Sequence, residues 1–235
     1  MTDATHYIPI ITTCFALWFA PQLFRRWAER RPAPHLVCWG IGVLVYAVGT
    51  TTESLTTLIG WHPAVFRLWY ISGALLGGAP LAQGTAYLLL RRRTADVVTK
   101  CLLLVVVIAS VGVVLSPINL ALVEAHRLSG HVLRWTWVRG FSPFINTYAL
   151  VMLVGGAILS AWRYHRGGGS PEKVAGNVAI AVGGLLPGIG GTATRFGHVE
   201  VLYVTELIGL ILIYLGFCLN VGRLRLFLPV VASEG

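Results

Sequence analysis

Seven apolar stretches alternate with short polar connections along this chain. They cover approximately residues 7–24, 36–57, 66–90, 99–115, 143–164, 173–191 and 199–220. As a helix, each stretch is long enough to cross the roughly 30 Å hydrocarbon core of a bilayer. The pattern predicts an all-α fold in which a single domain, residues 1–235, forms a bundle of seven transmembrane helices. The third stretch carries Gly77, Gly78 and Pro80 at its middle, and so a kink is expected there.

Basic residues are unevenly distributed between the connections. Thirteen of the 18 Lys and Arg residues lie in the first, third and fifth connections and in the tail, which carries Arg223 and Arg225. The five on the other side are Arg67, Arg127, Arg134, Arg139 and Arg195. Because cytoplasmic connections are enriched in Lys and Arg, this asymmetry predicts an N-terminus outside the cell and a cytoplasmic C-terminus. The predicted location is the cell membrane, as a multi-pass protein.

One outer connection, after the fourth stretch, is longer than the others. Ser116-Pro117 has the pattern of a helix N-cap followed by a first-turn proline, and Ser129-Gly130 that of a helix end. A short helix over residues 117–128 is therefore predicted to lie on the outer surface. Its ionisable residues, Glu124, His126 and Arg127, are expected to face water.

The composition narrows the classes of function. The chain is 56% hydrophobic and 11% charged, whereas a soluble domain has about 25% charged residues. The net charge of +9 comes from the connections, which favours a lipid bilayer as partner and not a nucleic acid.

The four cysteines form no CxxC and no two histidines are spaced i,i+4 on one helix, so no metal site is predicted. The GxGxxA pattern at Gly188 closes an apolar stretch instead of following a strand, and so no cofactor is predicted.

Two acids lie inside the apolar pattern. An ionised carboxylate at membrane depth costs about 2.5–3.5 kcal/mol, and so Glu53 is expected to be protonated, paired or in a wet cavity. Thr50 and Thr57 share its helix face. Glu206 lies about 10 Å in from the outer end of the seventh helix, with Tyr203 on the same face. Both acids are predicted to share a hydrated cavity in the outer half of the bundle.

Other polar residues are predicted to line the same cavity, because they open or close helices at the outer end. The full set of candidate ligand-binding residues is Glu53, Thr57, Arg67, Tyr70, Arg139, Asn146, Arg195, Tyr203 and Glu206. An alternative is purely structural, with Glu53 paired to Arg67 and Glu206 paired to Arg195 across helix ends. The inner halves of the helices carry fewer polar residues, chiefly Gln83 and Tyr87.

Two GxxxG patterns, Gly73/Gly77 and Gly184/Gly188, allow close approach of helices in lipid. They are interpreted as contacts within the bundle, with dimerisation as the alternative.

Four segments carry a resemblance to known proteins: FRLWYISGALL at 66–76, QGTAY at 83–87, GGAILSAW at 155–162 and RFG at 195–197. Through them nearly the whole chain resembles a group of uncharacterised bacterial seven-helix membrane proteins. More distantly, the order of spans is similar to the seven-helix sensor region of bacterial membrane histidine kinases. That resemblance implies ligand perception. Because only a short tail follows Arg225, signalling is expected to require a separate partner.

Three functional hypotheses follow. The leading one is a sensor-like protein that binds a small amphipathic ligand, with Arg67, Arg139 and Arg195 attracting an anionic head group and the two acids orienting it. The second is a membrane enzyme in which Glu53 or Glu206 initiates cyclisation or isomerisation of an isoprenoid, as implied by a coarse similarity to terpene cyclases of the meroterpenoid type. The third, a transporter, predicts more polar groups in the inner half than the sequence carries.

Overall fold

The computed structural model describes residues 4–124 and 127–223, which fold as an all-helical bundle. His126 and Arg225 lie outside these residues. Seven helices are long and apolar enough to cross a membrane: α1 (Ala4–Glu29), α2 (Pro34–Ile59), α3 (Pro63–Leu89), α4 (Arg92–Leu115), α5 (Thr136–Arg166), α6 (Pro171–Arg195) and α7 (Val199–Asn220). The predicted number and order of spans are confirmed. Such helices are typical of a multi-pass membrane protein, and which end faces the outside stays a prediction.

Proline sets where several of these helices start. Pro34, Pro63 and Pro171 each occupy the first turn of their helix, where the missing N–H is not needed. Gly60 ends α2 at a φ of 84°, a conformation that favours glycine. Short connections of this kind make successive helices antiparallel. The bundle therefore has an N-terminal end, where α1 begins and α2 ends, and an opposite C-terminal end.

Two helices are interrupted near their middles. α3 widens to a π-helix over Tyr70–Leu76, turns at Gly77 with a φ of 32°, and resumes as an α-helix over Ala79–Leu89. This confirms the kink predicted at Gly77 to Pro80. α5 has a π segment of its own over Leu150–Gly155. The Asn146 amide of α5 donates to the Ala74 carbonyl of α3 at 3.0 Å, and so the two irregular helices support each other. Segments of this type are frequent at functional sites.

Six of the helices form a ring. Contacts run from α1 to α2, α3, α5, α6, α7 and back to α1, while α4 packs against α3 and α5 from outside. The outward face of α4 is apolar and exposed, as expected of a surface in contact with lipid; it carries Leu103, Leu104, Val107, Val111 and Val114.

The closest helix contact is between α6 and α7, and it depends on glycines seven residues apart. A Cβ added to Gly183 would lie 2.6 Å from the Gly209 carbonyl, and one added to Gly216 would lie 2.5 Å from that of Gly176. The GxxxG interpretation missed this repeat. Gly184 instead faces Leu153 of α5, and a Cβ at Gly188 would have no described atom within 4 Å.

The connection between α4 and α5 corrects the sequence analysis. The helix predicted over 117–128 is wrong in the described residues, because only Leu120–Leu122 form a 3-10 turn. The backbone around this turn is extended and pairs with the returning chain, through Asn119 N to Val132 O at 2.8 Å and Arg134 N to Pro117 O at 3.0 Å. In a helix these backbone N–H and C=O groups would instead bond to each other within the segment.

Candidate functional site

Glu53 lies in the last third of α2, in a run of hydroxyl residues, and is only 4% exposed. Apart from Thr57, the neighbouring hydroxyls donate to carbonyls of their own helix, as in Thr51 to Ala47 and Ser54 to Thr50. Short polar side chains bond back in this way when no external partner is present. Their protons are therefore not available to the Glu53 carboxylate.

The donor to Glu53 comes from another helix. The indole Nε1 of Trp69, in α3, donates to Glu53 Oε1 at 3.1 Å. Trp69 is the last residue before the π segment that begins at Tyr70. This bond fixes the direction of the Glu53 carboxyl and connects it to the irregular part of α3.

The second acid meets the first. The side chains of Glu53 on α2 and Glu206 on α7 are within hydrogen-bonding reach of each other. Tyr46 of α2 also connects these two helices, because its hydroxyl donates to the backbone carbonyl of Glu206 at 3.0 Å. The structure thus brings together the two acids that the sequence analysis selected, and they form one acid pair.

The acid pair is incompletely satisfied. No donor among the described residues reaches Glu53 Oε2 or Glu206 Oε2, and both atoms are shielded from solvent. These two atoms are the open oxygens of the site. A buried acceptor without a partner costs about 1–3 kcal/mol. A carboxylic acid carries one O–H donor, so one proton between the two groups would let one acid donate to the other and still leave acceptor capacity.

Shielded polar atoms without a partner are concentrated at this end of the bundle. Within residues 4–124 and 127–223 there are eight such side-chain atoms. Seven lie at the N-terminal end: Thr5 Oγ1, His6 Nδ1, Glu53 Oε2, Thr57 Oγ1, Trp61 Nε1, Arg67 Nε and Glu206 Oε2. Groups of this kind are normally satisfied by ordered water or by a ligand. Thr57, one turn beyond Glu53, is 8% exposed and belongs to this set.

The N-terminal turn covers the site and was missed by the sequence analysis. Residues Ala4–Tyr7 form a 3-10 turn that contacts α2 and α7. The His6 ring meets the Tyr203 ring edge-on, with centroids 5.8 Å apart. Tyr203 is buried on α7, one turn before Glu206. A histidine directly ahead of the first apolar stretch was the one sequence signal that could have suggested this cover.

The predicted arginines are not partners of the acid pair. Arg67 donates to the Ser116 carbonyl at 3.3 Å, and Arg139 contacts His131 Nδ1 at 2.9 Å. Arg195 is exposed at the end of α6. In the described part of the chain the ion pairs within 4 Å are Arg92–Asp96 and Arg127–Glu124. The alternative in which Glu53 and Glu206 pair with Arg67 and Arg195 is therefore wrong.

Two further candidates, Tyr70 and Asn146, belong to the contact between α3 and α5. The Tyr70 oxygen accepts from the Ser142 hydroxyl at 3.3 Å, and its ring packs in an apolar cluster with Phe66 and Val138. The Asn146 amide donates a hydrogen bond to the Ala74 carbonyl. The nine candidates thus divide into an acid-pair group of Glu53, Thr57, Tyr203 and Glu206, and a second group on other contacts or at the surface.

Two surface grooves, of about 460 and 320 Å³, lie at the C-terminal end of the bundle, away from the acid pair. The larger is lined by Lys173 and Asn220 among others, and the smaller by Trp27, Cys38 and Arg92 among others. At the acid pair, by contrast, both open oxygens are shielded from solvent.

No known protein family, characterised protein or solved structure matches this chain. The function is therefore argued from the site itself. Its chemistry is that of two adjoining carboxyls with spare acceptor capacity, one indole donor, and aromatic rings on both sides.

Proposed function

We propose that this chain is a cell-membrane protein that binds a small amphipathic ligand at its N-terminal end, facing the outside, in a sensor-like role. The observation that carries the proposal is the acid pair, whose open oxygens are buried among further polar atoms that lack partners. A polar head group placed there satisfies these atoms, and an apolar tail packs between the helices. Intramembrane ionisable residues are functional candidates for this reason.

The path of the signal is part of the proposal. Trp69 donates to Glu53 and directly precedes the π segment of α3, which ends at the turn of Gly77. A ligand that forms a hydrogen bond with Glu53 would replace the Trp69 indole as the donor to this carboxyl. The movement then passes to the irregular middle of α3, where small changes of backbone angle are absorbed most easily. A separate partner at the cytoplasmic end would receive it.

The proposal is tested by ligand-induced stabilisation. The purified protein and its Glu53→Gln and Glu206→Gln variants are screened against a panel of lipids and metabolites by thermal unfolding. Glu29→Gln is the matched control, because Glu29 is an exposed acid at the far end of α1. We expect at least one compound to stabilise the wild type and the control but neither acid-pair variant. Equal stabilisation of all four proteins by every active compound would overturn the proposal.

One observation also favours an enzyme. Two adjoining carboxyls can hold and deliver a proton, and two aromatic residues lie nearby: Trp69, whose indole donates to Glu53, and Tyr203, one turn before Glu206. Aromatic faces stabilise cations, so the arrangement suits protonation of an isoprenoid double bond, ring closure and return of a proton. Such a reaction yields a cyclic isomer of unchanged mass. Incubation with polyprenyl substrates, followed by chromatography and mass spectrometry, should reveal this isomer with the wild type and lose it with Glu53→Gln.

A further inference from the structure

The open oxygens define the chemistry of the head group that the site accepts. We infer that this head group is an ammonium, so that the ligand is an amphipathic amine. The inference rests on the proposed ligand-binding function. It differs from the anionic head group that the arginine residues of the sequence had suggested.

The acid pair has more buried oxygens than donors that reach them. Glu53 is 4% exposed, and neither its Oε2 nor Glu206 Oε2 receives a hydrogen bond from any described residue. The Thr57 hydroxyl, also buried and without a described partner, can accept as well. An ammonium has three donors and no acceptor and can donate to both open oxygens, whereas a carboxylate or phosphate would place further acceptors against them.

The acid pair also lacks a cationic partner among the described residues. The cationic groups predicted for the site are directed elsewhere: Arg67 bonds to Ser116 and Arg139 contacts His131. Neither acid has an ion-pair partner within 4 Å in residues 4–124 or 127–223. A cationic ligand would supply the missing counter-charge, and hydrogen bonds between charged partners are about twice as strong as neutral ones.

Aromatic residues lie next to the acid pair. Trp61, Phe66 and Trp69 follow one another with ring centroids 5.8 and 6.1 Å apart, from the turn after α2 to the acid pair. Tyr203 lies one turn before Glu206 on the opposite helix. Aromatic faces attract ammonium groups and also pack against hydrocarbon. An amine with an apolar body therefore matches both the charge and the shape of this end.

The experiment compares compounds that differ only in the head group. Protein in nanodiscs of phosphatidylcholine, which has no net charge, is titrated with hexylamine, hexanol and hexanoate, and thermal stabilisation is measured. We expect stabilisation by hexylamine, a smaller effect of hexanol and none of hexanoate. The apparent affinity for hexylamine should fall by roughly tenfold or more in Glu53→Gln and Glu206→Gln, and stay unchanged in Glu29→Gln.

A second comparison uses the wild type alone and does not depend on whether the variants fold. Hexyltrimethylammonium keeps the charge but has no N–H, so it should bind roughly tenfold less tightly than hexylamine. Equal binding of the two, or stabilisation by hexanol or hexanoate that matches that of hexylamine, would overturn the ammonium assignment. The proposed function would survive that result if another compound required both acids. If no compound required either acid, the binding function itself would be wrong.

Discussion

The acid pair and the polar cluster around Gln83 are two buried polar regions that differ in how completely their hydrogen bonds are satisfied. In the Gln83 cluster, Tyr148 donates to Gln83 Oε1 at 2.5 Å, and Gln83 Nε2 donates to Thr99 Oγ1 at 2.7 Å and to the Ala95 carbonyl at 3.1 Å. Tyr87 continues the cluster to Asp96. The donors and acceptors of Gln83 are matched, and the cluster joins α3, α4 and α5.

The acid pair has four carboxyl oxygens, and Trp69 is the donor to one of them. The two regions lie in one bundle, so the fold is able to satisfy buried polar groups where several helices meet. The difference therefore indicates two roles. The Gln83 cluster stabilises packing, whereas under the proposed function the acid pair keeps acceptor capacity for a ligand at the expense of stability.

The largest effect is expected from Gly183→Leu. The added side chain would meet the Gly209 carbonyl and force apart α6 and α7, which lowers the free energy of unfolding by about 3 kcal/mol. Because α7 carries Glu206, ligand-induced stabilisation should be lost as well. Gly188→Leu is the matched control on the same helix. Reversible unfolding in mixed detergent micelles measures both, and equal stability of the two variants would contradict the observed α6–α7 contact.

Gln83→Leu should lower stability without affecting ligand binding at the acid pair. It leaves the Tyr148 hydroxyl without its acceptor and removes the donor to the Thr99 hydroxyl and the Ala95 carbonyl, and so we expect a loss of about 2 kcal/mol in unfolding free energy. Stabilisation by a ligand should remain. Gln22→Leu, at a glutamine that meets Arg223 near the surface, should change stability by no more than about 0.5 kcal/mol. A Gln83 variant as stable as the wild type would remove the contrast between the regions.

Glu206→Met should have the opposite effect, with little change in stability but a loss of ligand binding. It removes a carboxyl whose Oε2 is shielded from solvent without a partner, so stability should stay within about 1 kcal/mol of the wild type or rise. Ligand-induced stabilisation should disappear. A loss of 2 kcal/mol or more would mean that Glu206 is chiefly a packing residue.

The smallest effect on ligand binding is expected from Trp69→Phe. The substitution keeps an aromatic ring and removes the indole donor, at a cost of about 1 kcal/mol in unfolding free energy. With Glu53 less firmly oriented, ligand affinity should fall only a few-fold. Titration of the variant with the best compound from the panel measures this, and unchanged affinity would show that orientation by Trp69 is unimportant.

The sequence predicted the features that depend on hydrophobic pattern and on single residues. The seven spans follow from apolar length, and the break in α3 follows from Gly77 and Pro80, which disfavour a continuous helix. The meeting of Glu53 and Glu206 was expected because each is an acid near the same end of an apolar stretch, and hydrocarbon is a poor solvent for either.

Features that depend on tertiary contacts were not predictable from such patterns. The connection after α4 has helix-like signals at Ser116-Pro117, but its backbone pairs with itself and its Arg127 bonds to the Thr194 carbonyl at the end of α6. Likewise, Arg67 and Arg139 find their partners through loop geometry, and Trp69 reaches Glu53 from another helix. Charge type alone gives no information about these partners.

The central claim, that the carboxyls of Glu53 and Glu206 adjoin in a buried site, is tested most directly by a double-mutant cycle. Glu206→Lys is introduced with Glu53 intact and with Glu53→Gln, and the free energy of unfolding is measured for the set. Next to Glu53 the new ammonium forms a buried ion pair, and without Glu53 it is left uncompensated. We predict a coupling free energy of at least about 2 kcal/mol between the two positions; a value within about 0.5 kcal/mol of zero would contradict the account.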